Sequence, residues 1–175
     1  MRQVVLRPHD VAVALELALR PEEGFVPLAH AVGVSLSEAH GAVKRLTQAG
    51  LLSQERRRVV PSALLDFIAS GIPRAFPASV GAETRGVPTA TSGPSLAMEF
   101  PKAQRYVWPS SEGHARGQSL TPLYPKATKV GVRRDDLYTL LTLVDAVRVG
   151  QARERERARE LIGERLIRAN PERPA

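Results

Sequence analysis

Residues 27–61, PLAHAVGVSLSEAHGAVKRLTQAGLLSQERRRVVP, predict two short helices joined by a turn. Pro27 is tolerated in the first turn of a helix, and Gly33 can leave that helix in a left-handed conformation. Ser35 and Glu38 have the S-x-x-E spacing of a capping box. We therefore expect the second helix to begin at Ser35.

The second helix of this stretch has two different sides. Its inward side is apolar and consists of Ala39, Val43 and Leu46. Its outward side is small, polar and basic, and consists of Ser37, His40, Gly41 and Lys44. A second helix of this kind, after so short a turn, is the geometry that places side chains in the DNA major groove. Ser37, His40 and Lys44 are therefore the candidate base-contacting residues.

A small basic hairpin is expected after Gly50. Residues 51–54 predict a strand, residues 55–57 a tight turn and residues 58–60 a returning strand closed by Pro61. Arginine side chains on a hairpin tip suit phosphates or a narrow minor groove. The candidate phosphate or minor-groove contacts are Ser35 with the helix N-terminus, Arg45, Arg56, Arg57 and Arg58.

LAHAVGVSLSEAHGAVKRLTQAGLL, residues 28–52, resembles the winged helix-turn-helix domain of MarR-like bacterial regulators. The resemblance extends over about residues 8–66. It implies three helices with a β-hairpin wing, double-stranded DNA as the partner, and transcriptional regulation as the function. Winged helices also serve as protein-binding modules, so that interpretation stays open at this point.

Composition excludes several classes of site. The chain of 175 residues has no cysteine, so disulfides and thiolate sites are excluded. No apolar run approaches the length of a membrane span and no signal peptide is evident, which predicts a cytoplasmic protein. The net charge is +7, of which residues 61–134 carry +5. That excess favours an anionic partner without choosing between nucleic acid and protein.

Residues 71–133 show no sustained period and contain 15 Gly plus Pro, which predicts an irregular segment. Five aromatic residues there should anchor it to the helices: Phe76, Phe100, Tyr106, Trp108 and Tyr124. His114 stands apart from any partner that would make a catalytic set. The sequence therefore predicts neither an enzyme nor a cofactor or metal site.

The last third of the chain predicts amphipathic helices. Leu137, Leu140, Leu141, Val144 and Val147 form the strongest apolar stripe, and Gly150 should bend or break the helix. This stripe must pack against residues 71–133, the winged domain or another chain, and we expect a partner chain, with a homodimer on a palindromic site as the first choice. LVDAVRVGQARERERARELIGERL, residues 143–166, resembles the C-terminal helix of abortive-infection antitoxins, which implies a toxin or another protein as an alternative partner.

The sequence thus predicts a mainly α fold in three segments. Residues 1–70 form a winged helix-turn-helix domain, residues 71–133 a Gly/Pro-rich irregular segment, and residues 134–170 a helical dimerisation or partner-binding region. The predicted function is a sequence-specific, dimeric transcriptional regulator, acting as an autorepressor. The alternative is an antitoxin or adaptor that neutralises a partner protein through its C-terminal half.

Overall fold

The computed structural model describes residues 4–55 and 57–169, and the fold is mixed α/β rather than mainly α. The helices are α1 (Pro8–Leu19), α2 (Phe25–Val32), α3 (Leu36–Gln48), α4 (Pro61–Asp66), α5 (Ile72–Ala75), α6 (Asp135–Val149) and α7 (Ala152–Ala169). The strands are β1 (Val80–Thr89), β2 (Tyr106–Pro109) and β3 (Ala115–Leu120). Shorter 3-10 turns cover Ala90–Ser92 and Pro125–Val132.

The helix boundaries at 27–61 follow the local chemistry that the sequence indicated. Helix α2 begins slightly earlier than expected, and Pro27 lies in its first turn, where no backbone N–H is needed. It ends at Gly33, whose φ of 80° is left-handed. Ser35 caps α3 as the capping box predicts.

The segment after α3 folds back on itself through a short antiparallel contact. Leu52 and Val59 form an isolated bridge, and the Val60 N–H donates to the Leu51 carbonyl at 3.0 Å. The Ser53 N–H donates to the Arg58 carbonyl at 2.7 Å. This arrangement is compatible with a wing-like hairpin, although its strands are shorter than expected.

The chain after the hairpin is helical from Pro61 to Ala75. Helix α4 passes through a π turn, Phe67–Gly71, into α5. Pro73 lacks a backbone N–H, so it breaks the regular ladder of i→i−4 hydrogen bonds at this point. A π turn is one way in which a helix accommodates such an interruption.

Residues 71–133 form a small sheet where we expected irregular structure. Strand β1 pairs antiparallel with both β2 and β3, and β2 pairs parallel with β3, so the three strands close on one another. Their glycines allow backbones to approach closely: a Cβ on Gly86 would lie 2.0 Å from the Trp108 carbonyl oxygen. The residues that suggested a loop are therefore the ones that the tight closure requires.

Helix α6 is the centre of the fold. The stripe that we predicted as partner-binding is buried in the core of the same chain, namely Leu137, Leu140, Leu141, Val144 and Val147. Every residue from Leu140 to Val147 is buried, because α6 packs against α1, α7 and β1. The prediction of a partner surface on this stripe was wrong, because other elements of the same chain, α7 and α1 among them, pack against α6 and bury it.

A buried carboxylate joins α6 to the sheet. Asp145 is 1% exposed and accepts hydrogen bonds from the Trp108 indole N–H at 2.6 Å and the Thr89 hydroxyl at 2.7 Å. Arg148 donates to the same carboxylate at 2.7 Å and to the carbonyl of Phe76 at 2.9 Å. One hydrophobic cluster extends through all three sequence segments, so the segments are joined by a common core.

Candidate nucleic-acid interface

The N-terminus of α3 is held by reciprocal hydrogen bonds between Ser35 and Glu38. The Ser35 hydroxyl accepts from the Glu38 N–H at 3.2 Å, and the Glu38 carboxylate accepts from the Ser35 N–H at 2.8 Å. These hydrogen bonds lower the pKa of Glu38, so it is ionised at neutral pH. The Ser35 side chain is therefore engaged in capping, and an anion near it would also meet a carboxylate.

The outward side of α3 is open to solvent. Ser37, His40 and Lys44 are exposed, whereas Ala39 and Leu46 on the opposite side are buried. Within the residues that the structure describes, the side chains of Ser37 and Lys44 have no hydrogen bond or ion pair. The three residues predicted to face bases thus share one accessible surface, with Lys44 as its free cation.

Phe25 lies beside this surface and was missed by sequence reasoning. Its ring stacks on the His40 imidazole with centroids 3.7 Å apart and planes at 23°. The Arg57 guanidinium lies over the same ring, 4.5 Å from the centroid, and also donates to the Glu23 carbonyl. Phe25 therefore connects the outward side of α3 to the hairpin and fixes the position of Arg57. The sequence signals Phe25 only by its position two residues before Pro27.

The other hairpin arginines differ in their surroundings. Arg58 pairs with the Glu22 carboxylate at 2.6 Å, and both side chains are solvent-exposed. Such an exposed pair is worth at most about 1 kcal/mol, so a phosphate can compete for the guanidinium. The prediction for Arg56 lies outside the described residues.

Arg45 does not share the outward surface. Its guanidinium makes two hydrogen bonds with the Asp10 carboxylate, at 2.6 and 2.7 Å. Asp10 is 1% exposed, so the pair links α3 to α1 inside the molecule. Arg45 holds the helix in place, in contrast to the phosphate contact that the sequence suggested.

Two cations from distant sequence lie next to the turn before α3. A Cβ added to Gly33 would lie 2.7 Å from an Arg133 guanidinium nitrogen and 3.2 Å from the Lys126 Cβ. Both side chains are exposed. Sequence reasoning could not find them, because they come from the segment after the sheet, about 90 residues downstream.

The comparisons with known proteins add no relative: no family model, curated protein or solved structure matches this chain. Among the described helices, none combines the length and apolar character needed to cross a membrane. The described residues also contain no group of three or more His, Asp or Glu side chains that could hold a metal ion.

Proposed function

We propose that this protein binds double-stranded DNA and regulates transcription, with α3 as the recognition helix of a winged helix-turn-helix and residues 51–60 as the wing. One observation carries the proposal. Helix α3 is capped and packed on one side, and it leaves Ser37, His40 and Lys44 exposed together on the other. Hydroxyl, imidazole and ammonium groups on one helix side are able to contact base edges in a major groove.

Cations around α3 support the proposal. Lys126 and Arg133 lie beside the turn that precedes α3, and Arg57 lies beside its outward side. Phosphates on either side of a major groove would meet these residues, which would set the orientation of the protein on the duplex. We infer that they supply non-specific affinity, while the short outward side of α3 supplies modest sequence preference.

We further propose that two copies act together on a palindromic site as an autorepressor. Three base-contacting side chains give a single copy limited discrimination, and a second copy would double the recognised sequence. The stripe on α6 is buried and does not serve this purpose. Any pairing of the copies would therefore use another surface or the DNA itself.

The test is selection of genomic DNA fragments bound by the purified protein, followed by titration of the recovered site at low and physiological salt. We expect one palindromic site, and we expect Lys44→Ala to weaken binding about tenfold and to reduce discrimination between sites. Arg155→Ala is the matched control, because Arg155 is an exposed cation on α7. Equal effects of the two substitutions, or recovery of random fragments alone, would contradict the proposal.

A further inference from the structure

Three exposed arginines lie on or beside the small sheet. Arg85 and Arg116 are exposed and occupy directly opposite positions on the antiparallel strands β1 and β3. Arg105, just before β2, lies beside β3, since its carbonyl accepts from the Gln118 N–H at 2.9 Å. We call Arg85, Arg105 and Arg116 the basic sheet face.

This face is poorly neutralised within the chain. Arg116 pairs with Glu83 at 3.2 Å, but both side chains are about two-thirds exposed. The guanidinium groups of Arg85 and Arg105 have no partner among the described residues. Like charges directly opposite each other destabilise a strand pair. Folding alone therefore gives no reason for two arginines at this position, whereas an anionic partner would.

The surface beside the arginines is concave and partly apolar. Arg105 and Arg116 both line two adjoining cavities of about 420 and 370 Å³. The larger cavity also has apolar walls, formed by Pro88, Ala97, Phe100 and Pro101. A carboxylate could pair with a guanidinium here while a neighbouring apolar side chain fills the cavity. A phosphate backbone would leave those apolar walls unused.

The basic sheet face is built on different elements from the outward side of α3. Helix α3 packs on α1, α1 packs on α6, and α6 packs on β1. The duplex probe in the experiment below tests whether DNA uses the sheet face.

We propose that the basic sheet face binds a partner protein through an acidic segment in which apolar residues alternate with carboxylates. Arg85, Arg105 and Arg116 would pair with the carboxylates, and the wall around Phe100 would receive an apolar side chain. The inference is independent of DNA binding by α3. It assigns the protein a second, separate interaction surface.

The test uses a fluorescein-labelled peptide of four Glu-Glu-Leu repeats, with a four-repeat Glu-Glu-Ser peptide and a 20-base-pair duplex of arbitrary sequence as comparison probes. Binding to the full chain is measured by anisotropy at low and physiological salt. We expect the Leu peptide to bind more tightly than the Ser peptide. We expect Arg85→Gln with Arg116→Gln to weaken its binding at least tenfold. The matched control, Arg153→Gln with Arg155→Gln on α7, should change it less than twofold.

Thermal unfolding provides a second readout. Arg85→Gln alone should raise the Tm by about 1 to 3 °C, because it removes the like-charge opposition to Arg116. A lower Tm, equal weakening by the two double variants, or no binding of the Leu peptide by the wild type would each overturn the proposal. The proposal would also be overturned if Arg85→Gln with Arg116→Gln weakened binding of the duplex but not of the Leu peptide. That result would identify the face as a nucleic-acid surface.

Discussion

Helices α3 and α6 both carry an apolar stripe that is visible in the sequence, but the structure uses them differently. Helix α3 buries one side and leaves the other in solvent, whereas α6 is buried on every side between Leu140 and Val147. Each helix is joined to its neighbours by a buried aspartate that pairs with an arginine: Asp10 with Arg45 for α3, and Asp145 with Arg148 for α6. A stripe therefore indicates that a helix has a packing partner, but it does not say whether the partner is the same chain.

The largest effect is expected at the α6 pair. Asp145→Ala would leave Arg148 buried without its carboxylate, and Trp108 and Thr89 without their acceptor. We expect the free energy of unfolding to fall by about 3 to 5 kcal/mol, as measured by urea denaturation. Asp135→Ala, in the exposed first turn of the same helix, is the control and should cost less than about 1 kcal/mol. Similar losses from both substitutions would contradict the inference that Asp145 stabilises the packing of α6 on the sheet.

A smaller effect is expected at the α3 pair, because Arg45 is partly accessible. Arg45→Met keeps the aliphatic stem but leaves the Asp10 carboxylate buried without its charged partner. We expect a loss of about 2 to 3 kcal/mol in urea denaturation. Combining it with Asp10→Leu should recover part of that loss, because the uncompensated charge is removed.

The same variant separates a structural from a DNA-binding role for Arg45. If Arg45 only holds α3 in place, the folded Arg45→Met protein should bind the selected DNA site within about threefold of the wild type, with the same salt dependence. A flatter salt dependence would indicate that a phosphate contact was lost. That result would restore the role first predicted for Arg45 from the sequence.

The helices could be predicted from the sequence because their signals are local. Ser35 with Glu38, the left-handed Gly33 and the break at Gly150 each act within a few residues, and each lies where it was expected. The sheet could not be predicted, because its strands are interrupted by Gly and Pro and are stabilised by pairing between distant segments. The burial of the α6 stripe also depends on packing between distant segments, including α7 and α1, so it has no local signal either.

In the candidate interface, too, some features follow from local sequence signals and others depend on tertiary packing. Exposure of Ser37, His40 and Lys44 follows from helical periodicity, which the sequence displays. The Arg45 pair and the approach of Lys126 and Arg133 depend on tertiary packing, for which the sequence has no local signal. Phe25 lies close in sequence, but its stacking on His40 depends on the angle between α2 and α3.

The contact between α1 and α6 contains a buried carboxyl group, Glu16, whose pKa lies near neutral pH. Glu16 is fully buried, with Arg20 at 3.0 Å and Arg134 at 3.3 Å from one of its oxygens. Its other oxygen and one oxygen of Glu23 are buried and have no hydrogen-bond donor. Burial, with the neighbouring Glu23 carboxyl, raises the pKa of Glu16 to about 7. A proton on Glu16 would supply the missing donor between the two carboxyls.

The raised pKa of Glu16 makes the free energy of unfolding depend on pH. The folded state holds a proton that the unfolded chain releases above its ordinary pKa of about 4.5, so the free energy of unfolding should fall as pH rises from about 4.5 to about 7. We expect a decrease on the order of 2 kcal/mol, measured as the difference between the wild type and Glu16→Gln, whose amide is a neutral donor at every pH. Glu156→Gln, exposed on α7, is the control and should parallel the wild type. Parallel pH profiles for Glu16→Gln and the wild type would instead mean that Glu16 is ionised in the folded protein. Arg20 and Arg134 would then neutralise its charge between α1 and α6.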